Sequence, residues 1–288
     1  MCPIRLFDES TIEFNYDDPY YNLGYFNESY ENRVFNHIET KHFFFNISVT
    51  PVNKLYKSNF LYEINAKFPE NLIFEDNPFF YYIYLNARKV SLVRDFLYTY
   101  RVNRFNSTIS KSNKKFMDIV EIHRLNRKIF IKTHNFDTYK DYLISYIIES
   151  IFQRYNQIDN EFKEKFYDLI KEDFRNMNLD SDELNKLNPN TANKYKNVIK
   201  SDYYLEFELI GKIRLLKSTY NNKLKDQIEF YEKKLDLKKH TYQEKLEVKE
   251  QIIKKMSSSN SWKLTKPLRK VGTDIKRLKK IFIRLKLK

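Results

Sequence analysis

Apolar and polar positions change their spacing partway along this 288-residue chain, and the change divides it. Up to about residue 110 the apolar residues come in short runs. Ile4 to Phe7 and Phe43 to Val49 predict strands, and Lys89 to Val93 with Phe96 to Tyr100 predict a close strand pair around Arg94 and Asp95. Ser58 to Ile64 and Pro78 to Arg88 predict helices. The second is opened by Asp76, Asn77 and Pro78, residue types suited to a helix start. Beyond residue 111 the spacing turns helical: Asp118 to Lys132, Tyr139 to Tyr155 and Glu161 to Asn176 each carry an apolar face, in the second Tyr142, Ile144, Ile147, Ile148 and Ile151. Residues 177 to 193, rich in Asn, Asp and Ser with Pro189, predict a loop holding at most a short helix.

From about residue 203 a long helix is predicted. Leu209, Ile213, Leu216, Tyr220, Leu224, Ile228, Tyr231 and Leu235 step by three or four. After a phase slip near Lys239 the stripe resumes through Tyr242, Leu246, Ile253 and Met256. Lys and Glu fill the other faces, so a homodimeric coiled coil through residues 209–256 and a single helix docked on its own body are both open. SSSNSW, residues 257 to 262, breaks the pattern. The expected organisation is an α/β part over 1–110, a helical domain over 111–200, a long amphipathic helix over 201–256 and a tail over 257–288. The fold class is α/β followed by an all-α region, helix-dominated overall.

Composition narrows the chemistry. Three glycines leave no Gly-rich phosphate cradle, and Cys2 as the only cysteine leaves no disulfide framework, zinc ribbon or thiol pair. No apolar run approaches the roughly 18 residues that cross a bilayer, and the start of the chain has neither a basic opening nor an apolar signal core, so the cytoplasm is expected. The net charge is +14, from 52 Lys and Arg against 38 Asp and Glu, and residues 257–288 alone hold eleven bases and one acid. In that tail Ile275, Leu278, Phe282 and Leu285 share a helical face among Lys276, Arg277, Lys279, Lys280 and Arg284. This pattern favours an anionic membrane surface, reached from the inner face of the cell membrane, with a solvated basic end as the bland alternative. No RNP, zinc-finger or helix-turn-helix pattern accompanies the charge, so nucleic acid is not expected as a partner.

The sharpest local feature is FEDNPFF, residues 74 to 80. A plain account of its two carboxylates is that Asp76 caps the first turn and the positive helix end stabilises both charges. A catalytic account needs one carboxylate aimed where it can accept a hydroxyl proton.

The surroundings of that motif, NKLYKSNFL (53 to 61), FPENLIFEDNPFF (68 to 80), LNARKVSLVRDFLYTYR (85 to 101) and NSTIS (106 to 110), resemble the acceptor-side half of family-2 glycosyltransferases with the GT-A fold. A second stretch, SSSNSWKLTKPLRK (257 to 270), is similar to an element that follows the helical region in bacterial and archaeal enzymes of this kind. The resemblance implies a partial GT-A sheet. It implies inverting transfer of a sugar from a nucleotide sugar to a hydroxyl acceptor, in cell-surface polysaccharide or glycolipid synthesis. Asp76 matches the position of the family's catalytic base, with Glu75 shaping the local field and Asn53 and Lys54 lining the floor of the cleft. Arg101, Ser107 and Thr108 would close over the diphosphate. The chain departs from the family in that MCPIRLFDES resembles sequence just past the family's Asp-x-Asp metal element. The donor half is thus expected to be missing and the chain alone inactive. No metal is expected in this chain, although Mn²⁺ or Mg²⁺ is expected for the complete family enzyme. Asp180-Ser181-Asp182 lies in a polar loop and reads as helix capping, and the histidines form no metal or nucleophile pattern. The competing class is a non-enzymatic coiled-coil interaction protein with a membrane-surface basic tail.

Overall fold

A computed structural model of the chain describes residues 1–103 and 113–265, together with 267, 268, 270, 271, 273 and 276. Residues 1–211 form one compact unit and 212–288 a second. Helices dominate, beside a small mixed sheet of three strands. In the sheet, β1 (Ile4–Asp8) lies between β2 (Glu13–Asn15) and β3 (Tyr98–Val102). β1 and β2 pair antiparallel, Leu6 opposite Asn15, through a turn in which Asp8 Oδ1 accepts from the Ser10 amide (2.8 Å) and hydroxyl (2.6 Å). β1 and β3 pair in parallel from Ile4–Tyr98 to Asp8–Val102. Parallel neighbours need a long crossover, and it is this crossover that carries the FEDNPFF segment.

Two expected strands are corrected. Phe43 to Val49 is no strand; residues Lys41–Asn46 wind into 3₁₀ turns. The reason is tertiary: Phe44 is fully buried with its ring 4.7–5.7 Å from those of Tyr81, Tyr84, Phe130 and Tyr139, so its neighbours follow whatever path seats that ring. The expected pair of Lys89–Val93 with Phe96–Tyr100 does not form either. Val90 bridges to Phe35, and the later run joins β1. Between them Arg94 donates to Glu31 (2.8 Å) and to the Phe26 carbonyl (2.7 Å), holding the chain away from a hairpin path.

The helices are α1 (Ser58–Glu63), α2 (Asp76–Asn86), α3 (Asp118–Lys132), α4 (Phe136–Gln157), α5 (Asn160–Met177), α6 (Ser181–Lys186), α7 (Pro189–Lys200), α8 (Tyr204–Ser258) and α9 (Asn260–Leu264). α3 has its predicted limits. α7 was hidden from the periodicity by Asn-rich composition, yet Asn188 caps it, Pro189 occupies its first turn, and Thr191, Ala192, Tyr195 and Val198 are buried at helical spacing. α2 is buried almost all round, from Asn77 to Tyr81 and again from Ile83 to Leu85, as befits a helix in the middle of a core. It packs on α3, and α3 on α4.

Asp173 on α5, fully buried, ties α3 to α5 by accepting from Arg124 Nε (2.9 Å) and from Arg127 (2.5 and 3.0 Å). The first turns of α8 belong to the same unit. Phe207 packs on Tyr167 with rings 5.1 Å apart, and Tyr155 donates to Glu208 (2.6 Å). Every residue from 211 to 264 is exposed. No helix among the described residues is long and apolar enough to cross a membrane.

Candidate functional site

The start of α2 is built by an unusual approach. Phe74 has φ of 66°, a left-handed conformation that a bulky residue adopts only under tertiary constraint. The Arg154 guanidinium of α4 lies 4.7 Å from the centre of its ring, which holds it there. The Phe74 carbonyl then accepts from the Asn77 amide (3.1 Å) and side chain (3.3 Å), closing the first turn. The capping account of Asp76 is corrected in its position: Glu75 holds the cap position and makes no side-chain cap bond, and Asp76 is the first helical residue.

Asp76 is instead a member of a polar cluster. Its Oδ1 accepts from Asn77 Nδ2 (3.1 Å), and Asn77 Oδ1 accepts from the Tyr146 hydroxyl of α4 (2.7 Å). Burial raises the Asp76 carboxyl above its ordinary value and the Glu75 charge adds to this, while the Asn77 bonds and the Lys54 charge act the other way. The partly buried Lys54 sits within electrostatic reach. Its ammonium donates to the Ser48 carbonyl (2.5 Å), the Thr50 carbonyl (2.7 Å) and Asn53 Oδ1 (2.7 Å), and lies 4.8 Å from the Phe80 ring centre. All three donors are thereby used, and Lys54 forms no contact ion pair with Asp76. Burial pulls its pKa down to about 7, against the attraction of Asp76. Tyr20 completes this side: burial lifts its hydroxyl to about 12, and the hydroxyl accepts from the Val49 amide (3.0 Å).

Arg154 supplies the remaining charge. It donates to Gln157 (2.7 Å), but its Nε is buried without a hydrogen-bond partner. Burial lowers its pKa, while Tyr146, Tyr20 and Asp76 act to raise it. The arrangement thus holds one carboxylate with raised proton affinity within electrostatic reach of a lysine and an arginine. A carboxylate in that setting can accept a proton from a hydroxyl, and the two cations can balance negative charge that develops beside it.

Of the residues expected to act together, the fold collects Asp76, Glu75, Asn53 and Lys54. Asn53 has a structural task as well: its side chain donates to the Cys2 carbonyl (2.9 Å), and its own carbonyl accepts from the Cys2 amide (2.9 Å), fixing the entry to β1. Arg101, exposed on β3, pairs with Glu9 at 3.0 Å. Ser107 and Thr108 lie outside the described residues, as do Arg277, Lys279, Lys280 and Arg284; Lys276 is helical and exposed. Asn77, Tyr146, Arg154 and Tyr20 escaped the sequence reading. Tyr146 and Arg154 sit two helical turns apart on α4, an i, i+8 spacing that can signal a shared face but says nothing of what that face meets. Asp180 caps α6 in a reciprocal box with Glu183. Among the described residues no group of three His, Cys, Asp or Glu side chains could hold a metal ion. Comparison with protein-family models, curated proteins and solved structures finds no match to this chain.

Proposed function

We propose that the chain is the acceptor-activating part of an inverting, family-2-like glycosyltransferase, in which Asp76 takes the proton of the acceptor hydroxyl as it attacks the anomeric carbon of a nucleotide sugar. The observation that carries the reading is the state of Asp76: a carboxylate at a helix start, raised in proton affinity by burial, in the electrostatic reach of Lys54 and Arg154 and in no contact ion pair. Glu75 tunes that field and Lys54 fixes the floor beside it. Arg101, with Ser107 and Thr108, serves the diphosphate. The three-stranded sheet would be the acceptor edge of a GT-A sheet, and Mn²⁺ or Mg²⁺ belongs with the donor half. The basic tail keeps the protein at the inner face of the cell membrane, near lipid-linked or polymeric acceptors.

The test is Asp76→Asn in the enzyme complemented with a donor half. Loss of a general base should lower transfer about 10²–10⁴-fold with the fold unchanged by circular dichroism. Undiminished transfer refutes the assignment. A second reading, a non-enzymatic interaction protein working through its long helix, is favoured by the exposure of every residue from 211 to 264. On that reading Asp76→Asn changes no binding.

A further inference from the structure

The second unit holds more charge than the whole chain. Residues 212–288 carry 24 Lys and Arg against 8 Asp and Glu, whereas 1–211 carry 28 against 30. The α8 segment from 212 to 256 contributes 13 bases and 7 acids, and their placement around the helix is one-sided. At about 100° per residue, a single direction midway between Leu216 and Tyr220 has eight lysines within about 80° of it. All seven acids lie at least about 100° away. The acids meet bases elsewhere on the helix, as in Glu229–Lys233 (2.7 Å) and Asp236–Lys239 (3.6 Å). The acid-free side bears Leu216, Tyr220, Leu224, Tyr231, Leu235 and Tyr242, all at least 44 % exposed.

The stripe is also straight. With Lys238, which bridges the slip near Lys239, and Lys249 counted as positions on it, the stripe advances 43 residues from Ile213 to Met256 in twelve steps, about 3.6 per step, the period of an uncoiled α-helix and not the 3.5 of a left-handed coiled coil. Against a second copy the seam would take lysines into its centre: Lys238, Lys245 and Lys249 fall at core positions in one heptad phase, Lys239 and Lys249 in the other. Against phosphate-bearing headgroups the same lysines extend to their counter-charges, while the tyrosines sit at interfacial depth.

We propose that α8 over residues 212–256 is a lipid-binding helix that lies along an anionic bilayer surface, over a length of about 65 Å at 1.5 Å per residue. This deepens the membrane part of the proposed function and does not depend on glycosyl transfer.

The full chain, its Lys238→Glu/Lys245→Glu/Lys249→Glu variant and a Lys225→Glu/Lys233→Glu/Lys254→Glu control would be partitioned onto phosphatidylcholine vesicles with and without phosphatidylserine. Both variants change net charge equally, but the control changes the acid-bearing side. At about fivefold per lysine near the surface, the first variant should lose about 100-fold in partition to the anionic vesicles. The control should lose less than about tenfold, its charges being screened at a greater distance. Equal losses would leave the tail as the membrane element and overturn the role of α8. Wild-type binding to duplex DNA in preference to the anionic vesicles, or a wild-type dimer that the first variant dissolves, would also overturn it. Far-UV circular dichroism confirms that each variant keeps its helix.

Discussion

Replacing Asp173 tests the packing of the body most directly. Its carboxylate has no solvent exposure and is bonded to Arg124 and Arg127, which are 26 % and 18 % exposed. Asp173→Ala leaves two guanidinium groups facing an emptied site. Arg124 retains Glu121 (3.5 Å) and Glu172 (3.3 Å), so Arg127 bears most of the loss. Breaking a buried pair on one side destabilises by about 3–5 kcal/mol, and with a urea dependence near the upper end of about 1–3 kcal/mol/M the midpoint should fall by more than about 1 M. Urea unfolding followed by tyrosine fluorescence and far-UV circular dichroism measures this. A loss under about 1 kcal/mol, the value of a surface pair, would mean that water reaches the carboxylate and that the burial argument is wrong. Asp173→Leu combined with Arg124→Met and Arg127→Met should restore most of the stability, because the penalty comes from uncompensated charge and not from a missing attraction.

Two pH effects follow. Burial, with Arg127 nearby, lowers the His123 pKa from 6.5 to about 3, so between those values the unfolded chain binds a proton that the native state refuses. Stability should fall as pH drops through that window, at up to roughly 1.4 kcal/mol per pH unit, and His123→Phe should flatten the slope; parallel slopes for the two proteins from pH 6 to 4 would sink the assignment. Lys54 runs in the alkaline range, with a pKa lowered from 10.5 to about 7. Its contribution should therefore improve as pH rises from about 7 towards 10.5, so the stability difference between wild type and Lys54→Met should change across that range, and a constant difference would show that the ammonium is solvated.

Much of the helical body was legible because its signal is local. α3 kept its predicted ends, since an apolar face at 3.6-residue spacing needs no knowledge of its partner. Phe43 to Val49 was misread for the opposite reason: consecutive aromatics satisfy strand propensity, yet Phe44 answers to Tyr81, Tyr84 and Tyr139, which local spacing cannot see. At the candidate site the same boundary holds. FEDNPFF announced Asp76 and Glu75, and NKL announced Asn53 and Lys54, but Tyr146 and Arg154 come from a helix about 70 to 80 residues further on, where no local pattern marks them as its partners.

By itself, then, the sequence determined the helical periods, the one-sided charge of α8 and the carboxylate pair at the start of α2, because each is a matter of residue spacing along one element. Only the tertiary structure decided which strands pair, that Asp76 accepts from an Asn77 that Tyr146 holds instead of capping its helix, and that burial lowers the Lys54 pKa. Those outcomes depend on burial and on partners far apart in the chain, and the desolvation that shifts a proton affinity exists only once the core has closed around it.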